Sequence, residues 1–310
     1  MSDAGGARRA PRIAVLGSAN LDLVVTVSRA PALGETMTGG AFRTVPGGKG
    51  ANQALAAARA GGAVCFLGAV GDDAYGAEIR TLLDDAGVDV SGLVSVAEPT
   101  GTAHITVDAS GANSIVVVPG ANGTVRALTD EHRAVIADAE TLLLQLELPL
   151  SVVVEAAVFA RAQGVATVLT PAPVVPLPAE LLDAVDIIVP NEHEATALSG
   201  VADPVDAAQA LTGEHRDVLV TLGAVGSAYA RAGAPPVTVA AFPVRAVDTT
   251  AAGDTFVGAF AVARADCPDL QGALRWAGAA AALSVQRFGA SASMPRRDEI
   301  DTFLQESSPC

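Results

Sequence analysis

Residues 141–170 read TLLLQLELPLSVVVEAAVFARAQGVATVLT. Thr141–Gln145 and Ala166–Thr170 are short apolar runs of the kind that forms strands buried on both faces, and residues 151–163 between them carry a helix. Strand, helix and strand in succession make a crossover unit, which joins parallel strands. The alternation continues in both directions. Toward the C-terminus it predicts a strand at 187–189, helices at 192–199 and 204–212, and a strand at 218–221. Toward the N-terminus it predicts a helix near 129–138, a strand at 13–17, a helix over 50–60, a strand at 63–70 and a helix over 75–86. The expected fold class is α/β: a doubly wound, mostly parallel central sheet with helices on both faces, which binds ligands beyond the carboxyl ends of its strands. Residues 23–27 and 35–45 have extended character, and 100–118 reads as a hairpin around the turn at 109–113. These lid strands, from about 20–46 and 100–120, are expected to form a small antiparallel sheet inserted in a single domain spanning 1–310.

Composition narrows the function classes. The chain has 310 residues, half of them apolar, enough for a core that needs no disulfide. Its formal net charge is −15, with no basic block longer than Arg8-Arg9, which argues against nucleic acid and anionic membrane as partners. Cys65, Cys267 and Cys310 are scattered and odd in number, so neither a disulfide framework nor a structural zinc site is expected. No apolar stretch suits a leader or a membrane span, and a soluble, cytoplasmic protein is expected. Of the 19 basic residues only Lys49 is a lysine; it lies in Pro46-Gly47-Gly48-Lys49-Gly50-Ala51-Asn52. A compact ammonium is not interchangeable with a guanidinium, so Lys49 is a candidate site residue, against survival by chance.

The run Asp248-Thr249-Thr250-Ala251-Ala252-Gly253-Asp254 precedes a helix expected over 255–265. Small residues opening a helix present backbone N–H groups and the positive end of the helix dipole, an anion hole suited to a phosphoryl group. Gly253 removes bulk where a phosphate must approach, and Asp254 places a carboxylate where a substrate hydroxyl can give up its proton. The competing reading makes Asp254 an ordinary N-cap.

DTTAAGDTF at 248–256 and PGGKGANQA at 46–54 together resemble the two signatures of the ribokinase-like (PfkB) carbohydrate kinases, and the similarity runs from about Arg12 to about Phe303. The resemblance implies ATP-dependent phosphorylation of D-ribose at its 5-hydroxyl, with Asp254 as base and Gly253 in the anion hole. Asn20, Asp22, Gly48, Lys49, Gly50, Asn52, Glu147 and Asp254 are then the candidate sugar residues, a donor and acceptor set suited to paired hydroxyls. Taken alone, Asn20 and Asp22 also read as a polar turn after a strand.

For the nucleotide the resemblance implies Asn191, Thr221, Gly223, Gly226, Gly253 and Gly278, the last standing where a larger residue can face adenine. Glu194 of the Asn191-x-x-Glu194 element is implied in the water shell of Mg²⁺, while a helix cap competes for Asn191 and any tight turn for 221–226. Asp248, Thr250, Ser284, Arg287, Gly289 and Ser293 are implied as a K⁺ site, several through main-chain oxygen, in a stretch richer in Ser and Ala than the family pattern. A homodimer through the lid edges is expected. The alternatives are a kinase for deoxyribose, fructose, a related furanose or a nucleoside and, outside enzymes, a sugar-binding regulator without turnover. Other chemistries find no support: there is no G-x-x-x-x-G-K-[ST], no G-x-S-x-G and no H-E-x-x-H, and Gln53 stands where a dinucleotide fingerprint needs its third glycine. His104 receives no role.

Overall fold

The computed structural model describes residues 9–266 and 269–307; Arg8, Cys267 and Cys310 lie outside the described residues. The first half of the chain runs β1 (Arg12–Leu16), β2 (Asn20–Thr26), β3 (Phe42–Gly47), α1 (Lys49–Arg59), β4 (Ala63–Gly71), α2 (Ala74–Asp85), β5 (Leu93–Val96), β6 (Gly101–Val107) and β7 (Asn113–Val118). Then come α3 (Asp130–Asp138), β8 (Thr141–Gln145), α4 (Leu150–Gln163), β9 (Ala166–Thr170), α5 (Ala179–Ala184), β10 (Ile187–Ile188), α6 (Glu192–Ser199), α7 (Pro204–Ala210) and β11 (Asp217–Thr221). The chain closes with β12 (Gly226–Ala230), β13 (Val237–Ala240), α8 (Ala252–Asp266), α9 (Leu270–Ser284) and α10 (Arg297–Glu306).

Nine strands form one sheet in the order β13-β12-β11-β10-β9-β8-β1-β4-β5, parallel from β11 to β5. Successive residues of β1 serve opposite layers. Ile13 and Val15 pack with Leu55 of α1 and Phe256 and Phe260 of α8, whereas Ala14 and Leu16 pack with Val152, Val153 and Ala156 of α4. Both faces are therefore covered, as a run without polar alternation requires. β1 lies between β4 and β8, and the chain turns away from it in opposite directions to reach each. The crevice past its carboxyl end is the topological switch point where such sheets bind ligands.

The second sheet, ordered β3-β2-β6-β7, supplies the lid. Its outer pairs are antiparallel and its central pair, β2 with β6, is parallel. β3 begins only at Phe42, so the extended reading of 35–41 fails; Gly39 and Gly40 lie against Val25 and Thr26 there. The periodicity also missed β5, α5, α9, α10 and the antiparallel edge β12–β13, whose short strands carry small residues rather than apolar runs. α8 starts three residues earlier than expected, at Ala252 rather than at 255, which sets Gly253 and Asp254 inside its first turn. No helix among the described residues is long and apolar enough to cross a membrane.

Candidate active site

α1 and α8 pack closely because Gly258 has no side chain: a Cβ there would lie 2.7 Å from the Gln53 carbonyl oxygen and 2.8 Å from the Ala57 nitrogen. Close packing along these helices brings the first turn of α8 against the first turn of α1. Asp254, 9% exposed, accepts hydrogen bonds from Asn52 Nδ2 on Oδ2 and from Gln53 Nε2 on Oδ1, each at 3.1 Å. It caps no helix; its carboxylate faces the neighbouring one. Asn52, expected to face a sugar, also holds the candidate base.

Four carboxylates bear on the single lysine. Glu147 Oε2, just past β8, accepts from the Lys49 amide at 3.1 Å and from the Ser18 hydroxyl, tying the exit of β1 to the start of α1. Burial lowers the Lys49 pKa, but Asp254, Glu147, Glu194 and Asp22 outweigh it and hold the ammonium above its ordinary value. Burial raises the Asp254 pKa against the opposing influence of Lys49, Gln53 and Asn52. Asp22 is pushed up to about 7 by burial, then by the charges of Glu147 and Asp254. Sugar hydroxyls brought here would meet acceptors already crowded together.

That crowding gives a stability prediction. An acid whose pKa is 3.8 unfolded and about 7 folded costs the folded state progressively more as pH rises between those values, and a constant amount above them. Asp22→Asn should therefore raise the Tm of the sugar-free protein at pH 8, with the gain shrinking as pH falls toward 4. Equal Tm differences at pH 5 and pH 8 would remove this account.

The glycines of the 46–52 loop lie first against the protein itself, Gly48 against backbone and Gly47 against a side chain. A Cβ on Gly47 would lie 2.6 Å from the Asp22 carboxylate, and one on Gly48, at φ +90°, would lie 2.8 Å from the Asn20 nitrogen. Asn20, 2% exposed, accepts from Asn122 Nδ2 at 2.7 Å, and Asn122 Oδ1 accepts from the Ala19 amide at 2.9 Å. Asn122 was missed in the sequence because it lies far from any motif; an Asn between glycines in the turn Pro119-Gly120-Ala121-Asn122-Gly123 is the signal the residues offer.

Beyond Gly253 opens a cavity of about 340 Å³ lined by Thr221, Gly223 and Gly226 after β11, by Phe242, and by Gly278 and Ala282 of α9. Its size and apolar walls suit a flat heterocycle. A Cβ on Gly253 would meet nothing within 4 Å, so no packing contact requires glycine there; the open space adjoins the first-turn N–H groups of α8. Gly226 differs: a Cβ there would lie 2.0 Å from the Val239 oxygen, so the β12–β13 pairing requires it. Just before α8, Ala251 holds φ +56°, a left-handed backbone costing a non-glycine residue about 1 kcal/mol.

Asn191 and Glu194 form the capping box of α6: Asn191 Oδ1 accepts from the Glu194 amide and Glu194 Oε2 from the Asn191 amide, both at 2.8 Å. The capping reading of Asn191 therefore holds in this state, and its bridge to Thr221 sets it beside the cavity. Asp248 accepts from the Thr250 amide and hydroxyl on Oδ1 and from the Gly289 amide, 2.9 Å away, on Oδ2, which binds the two halves of the implied cation loop together. Burial raises its pKa, yet the hydrogen bonds from Thr250 and Gly289 prevail and keep it low. The Ser284 and Ser293 hydroxyls bond to Ala281 and Ala290, and the Arg287 side chain pairs with Glu299, which leaves main-chain oxygens as their contribution to a cation. Among the described residues no three His, Cys, Asp or Glu side chains converge as a metal site. A donor set of carbonyls with one carboxylate suits a large monovalent ion, and a lone acidic residue suits Mg²⁺ held mainly by phosphates and water.

A family model described as pfkB family carbohydrate kinase matches residues 10–297. The ribokinase of Bacillus subtilis (strain 168) is 44% identical over 294 residues, 94% of this chain and 99% of that protein. The ribokinase of Haemophilus influenzae is 43% identical over 303 residues, 95% and 99% of the two chains. The structure of Arabidopsis thaliana ribokinase complexed with ribose and ATP matches with a TM-score of 0.88 and 38% identity, covering 96% of this chain and 99% of that one.

Proposed function

The chain belongs to the pfkB family of carbohydrate kinases, and from that premise we propose that it transfers the γ-phosphoryl group of ATP to the 5-hydroxyl of D-ribose, giving ribose 5-phosphate and ADP. The observation that carries the reading is the position of Asp254. It stands in the first turn of α8, held by α1 on one side, with the open space at Gly253 and the cavity adjoining that turn.

Asn20, Asp22, Lys49, Asn52 and Glu147 bind the sugar and orient the 5-hydroxyl toward Asp254. As the hydroxyl oxygen bonds to the γ-phosphorus, its proton passes to the Asp254 carboxylate and the bond from phosphorus to the β,γ-bridging oxygen breaks. The amides at Gly253 and its neighbours stabilise charge on the moving phosphoryl oxygens. Phe242 and Gly278 wall the adenine, with Thr221, Gly223 and Gly226 beneath it. Glu194, beside Asn191, would hold the water shell of Mg²⁺, which neutralises phosphate charge when bound. Asp248 and main-chain oxygens of Thr250, Ser284, Arg287, Gly289 and Ser293 would hold K⁺.

The lid closes over the sugar and excludes water. Its edge β7 exposes Ile115, Val116, Val117 and Val118, and its other edge exposes Phe42, so two lids pair in a homodimer. The enzyme works in the cytoplasm as one domain. A coupled ADP-release assay over a panel of pentoses, hexoses and nucleosides, with and without potassium, tests the reading. D-ribose is expected to be turned over best, and faster with potassium. Preference for another acceptor would move the substrate; tight sugar binding with no turnover would make the chain a regulator.

A further inference from the structure

Two buried amides take no part in the steps above. Gln53 of α1 and Gln145 at the end of β8 are 0% and 1% exposed. Gln53 Nε2 donates to Asp254 Oδ1 at 3.1 Å and to Thr170 Oγ1 at 3.0 Å, and its Oε1 accepts from Gln145 Nε2 at 2.7 Å. An ionised carboxylate can only accept, so the Gln53 edge that faces Asp254 must be the nitrogen. Its oxygen then faces Gln145, whose own nitrogen must face back. Asp254 thus dictates the orientation of both side chains.

The far end of the chain shows what this orientation costs. Gln145 Oε1 is buried without a hydrogen-bond partner. It is wedged so tightly that a Cβ on Gly17 would lie 2.1 Å from it, and one on Gly17 would also lie 2.7 Å from the Gly50 Cα. An unpaired buried acceptor is costly. An apolar side chain at 145 would instead take the donor away from the buried Gln53 Oε1, so glutamine here is tied to the orientation of Gln53 and not to packing alone.

We infer that Gln145 and Gln53 are positioning residues, a two-amide relay that keeps an N–H on Oδ1 of Asp254 so that the carboxylate holds one orientation toward the acceptor hydroxyl. The inference rests on the phosphoryl-transfer reading above. The charged groups facing Asp254 are Lys49 of α1, Glu147 past β8 and Asp22 of β2; the lysine favours the ionised carboxylate and the two acids oppose it. Gln53 and Asn52 are its neutral donors.

The test uses Gln53→Met and Gln145→Met, near in volume and apolar, with Gln145→Glu as a conservative variant and the wild type alongside. Each Met variant should lower kcat tenfold or more, with the KM for D-ribose within threefold and Tm within a few degrees. The acid limb of kcat against pH should move to higher pH, because the carboxylate loses support for its charge. The carboxyl introduced by Gln145→Glu can donate to Gln53 only while protonated. Its rate relative to wild type should therefore be highest at the acid end and decline as pH rises, the reverse of the Met trend. Unchanged kcat and pH profile in folded Met variants would overturn the relay. So would a joint fall of kcat and Tm with the acid limb unmoved and a flat Gln145→Glu ratio, which marks a merely structural role. Absence of turnover in the wild type would instead overturn the kinase reading beneath it.

Discussion

Asp254→Asn is expected to lower turnover with D-ribose by about 10²- to 10⁴-fold while sugar affinity stays within a few-fold of wild type. The amide can still occupy the place between α1 and α8, but it cannot take up the hydroxyl proton. It also offers one oxygen where Asn52 Nδ2 and Gln53 Nε2 both present N–H groups. Stability should not suffer in proportion. Burial already opposes the Asp254 charge, so removing it offsets the mismatched donor. Initial rates by ADP release, sugar binding by calorimetry and the Tm separate these effects. Near-normal turnover would remove Asp254 from the chemistry.

The second large effect is expected at a residue that need not touch substrate. A Cβ on Gly50 would lie 2.6 Å from the Gly17 Cα, the Gly17 carbonyl carbon and the Ser18 nitrogen, all backbone. The Ala51 amide donates to the Ser18 carbonyl at 2.9 Å, so the start of α1 is docked on the exit of β1 and neither side can yield. Gly50→Ala should destabilise the protein by about 3 kcal/mol, a fall in Tm of roughly 5 °C or more. It should also raise the KM for the sugar at least tenfold, since Lys49, Asn20 and Glu147 are placed by that contact. Gly123→Ala is the control. Its Cβ would lie 3.6 Å from the nearest atom, Pro119 Cβ, an ordinary contact, and Tm should barely move. A Gly50→Ala protein as stable and active as the control would show that the contact relaxes freely.

The central strands were legible because a parallel strand covered on both faces must be a continuous apolar run. β8 and β9 have the bounds that their runs suggest. The β12–β13 edge was not legible, since its residues are small and partly exposed and their pairing is carried by backbone alone. The run 248–256 reads as an anion site with an acid beside it, and the sequence leaves both base and cap open for Asp254. Only the packing of α8 on α1 shows its carboxylate facing away from its own helix end. For Asn191 the cap and the nucleotide role were equally open, and the capping box with Glu194 is a local pattern that residue types alone leave ambiguous. The loop glycines were readable as close approach; that the approaching group is the protein's own backbone was not.

By itself the sequence determined most of the central strands and the helices between them, and which reactive groups the chain owns, because apolar periodicity and turn chemistry act over a few residues. The tertiary structure decided which of those groups meet. Gln53 and Asp254 are 201 residues apart, and Gln53 and Gln145 are 92 apart. Their contacts follow from the order of strands in the sheet and from two helices close enough for Gly258 to pass, quantities that depend on the whole packed core rather than on any local stretch.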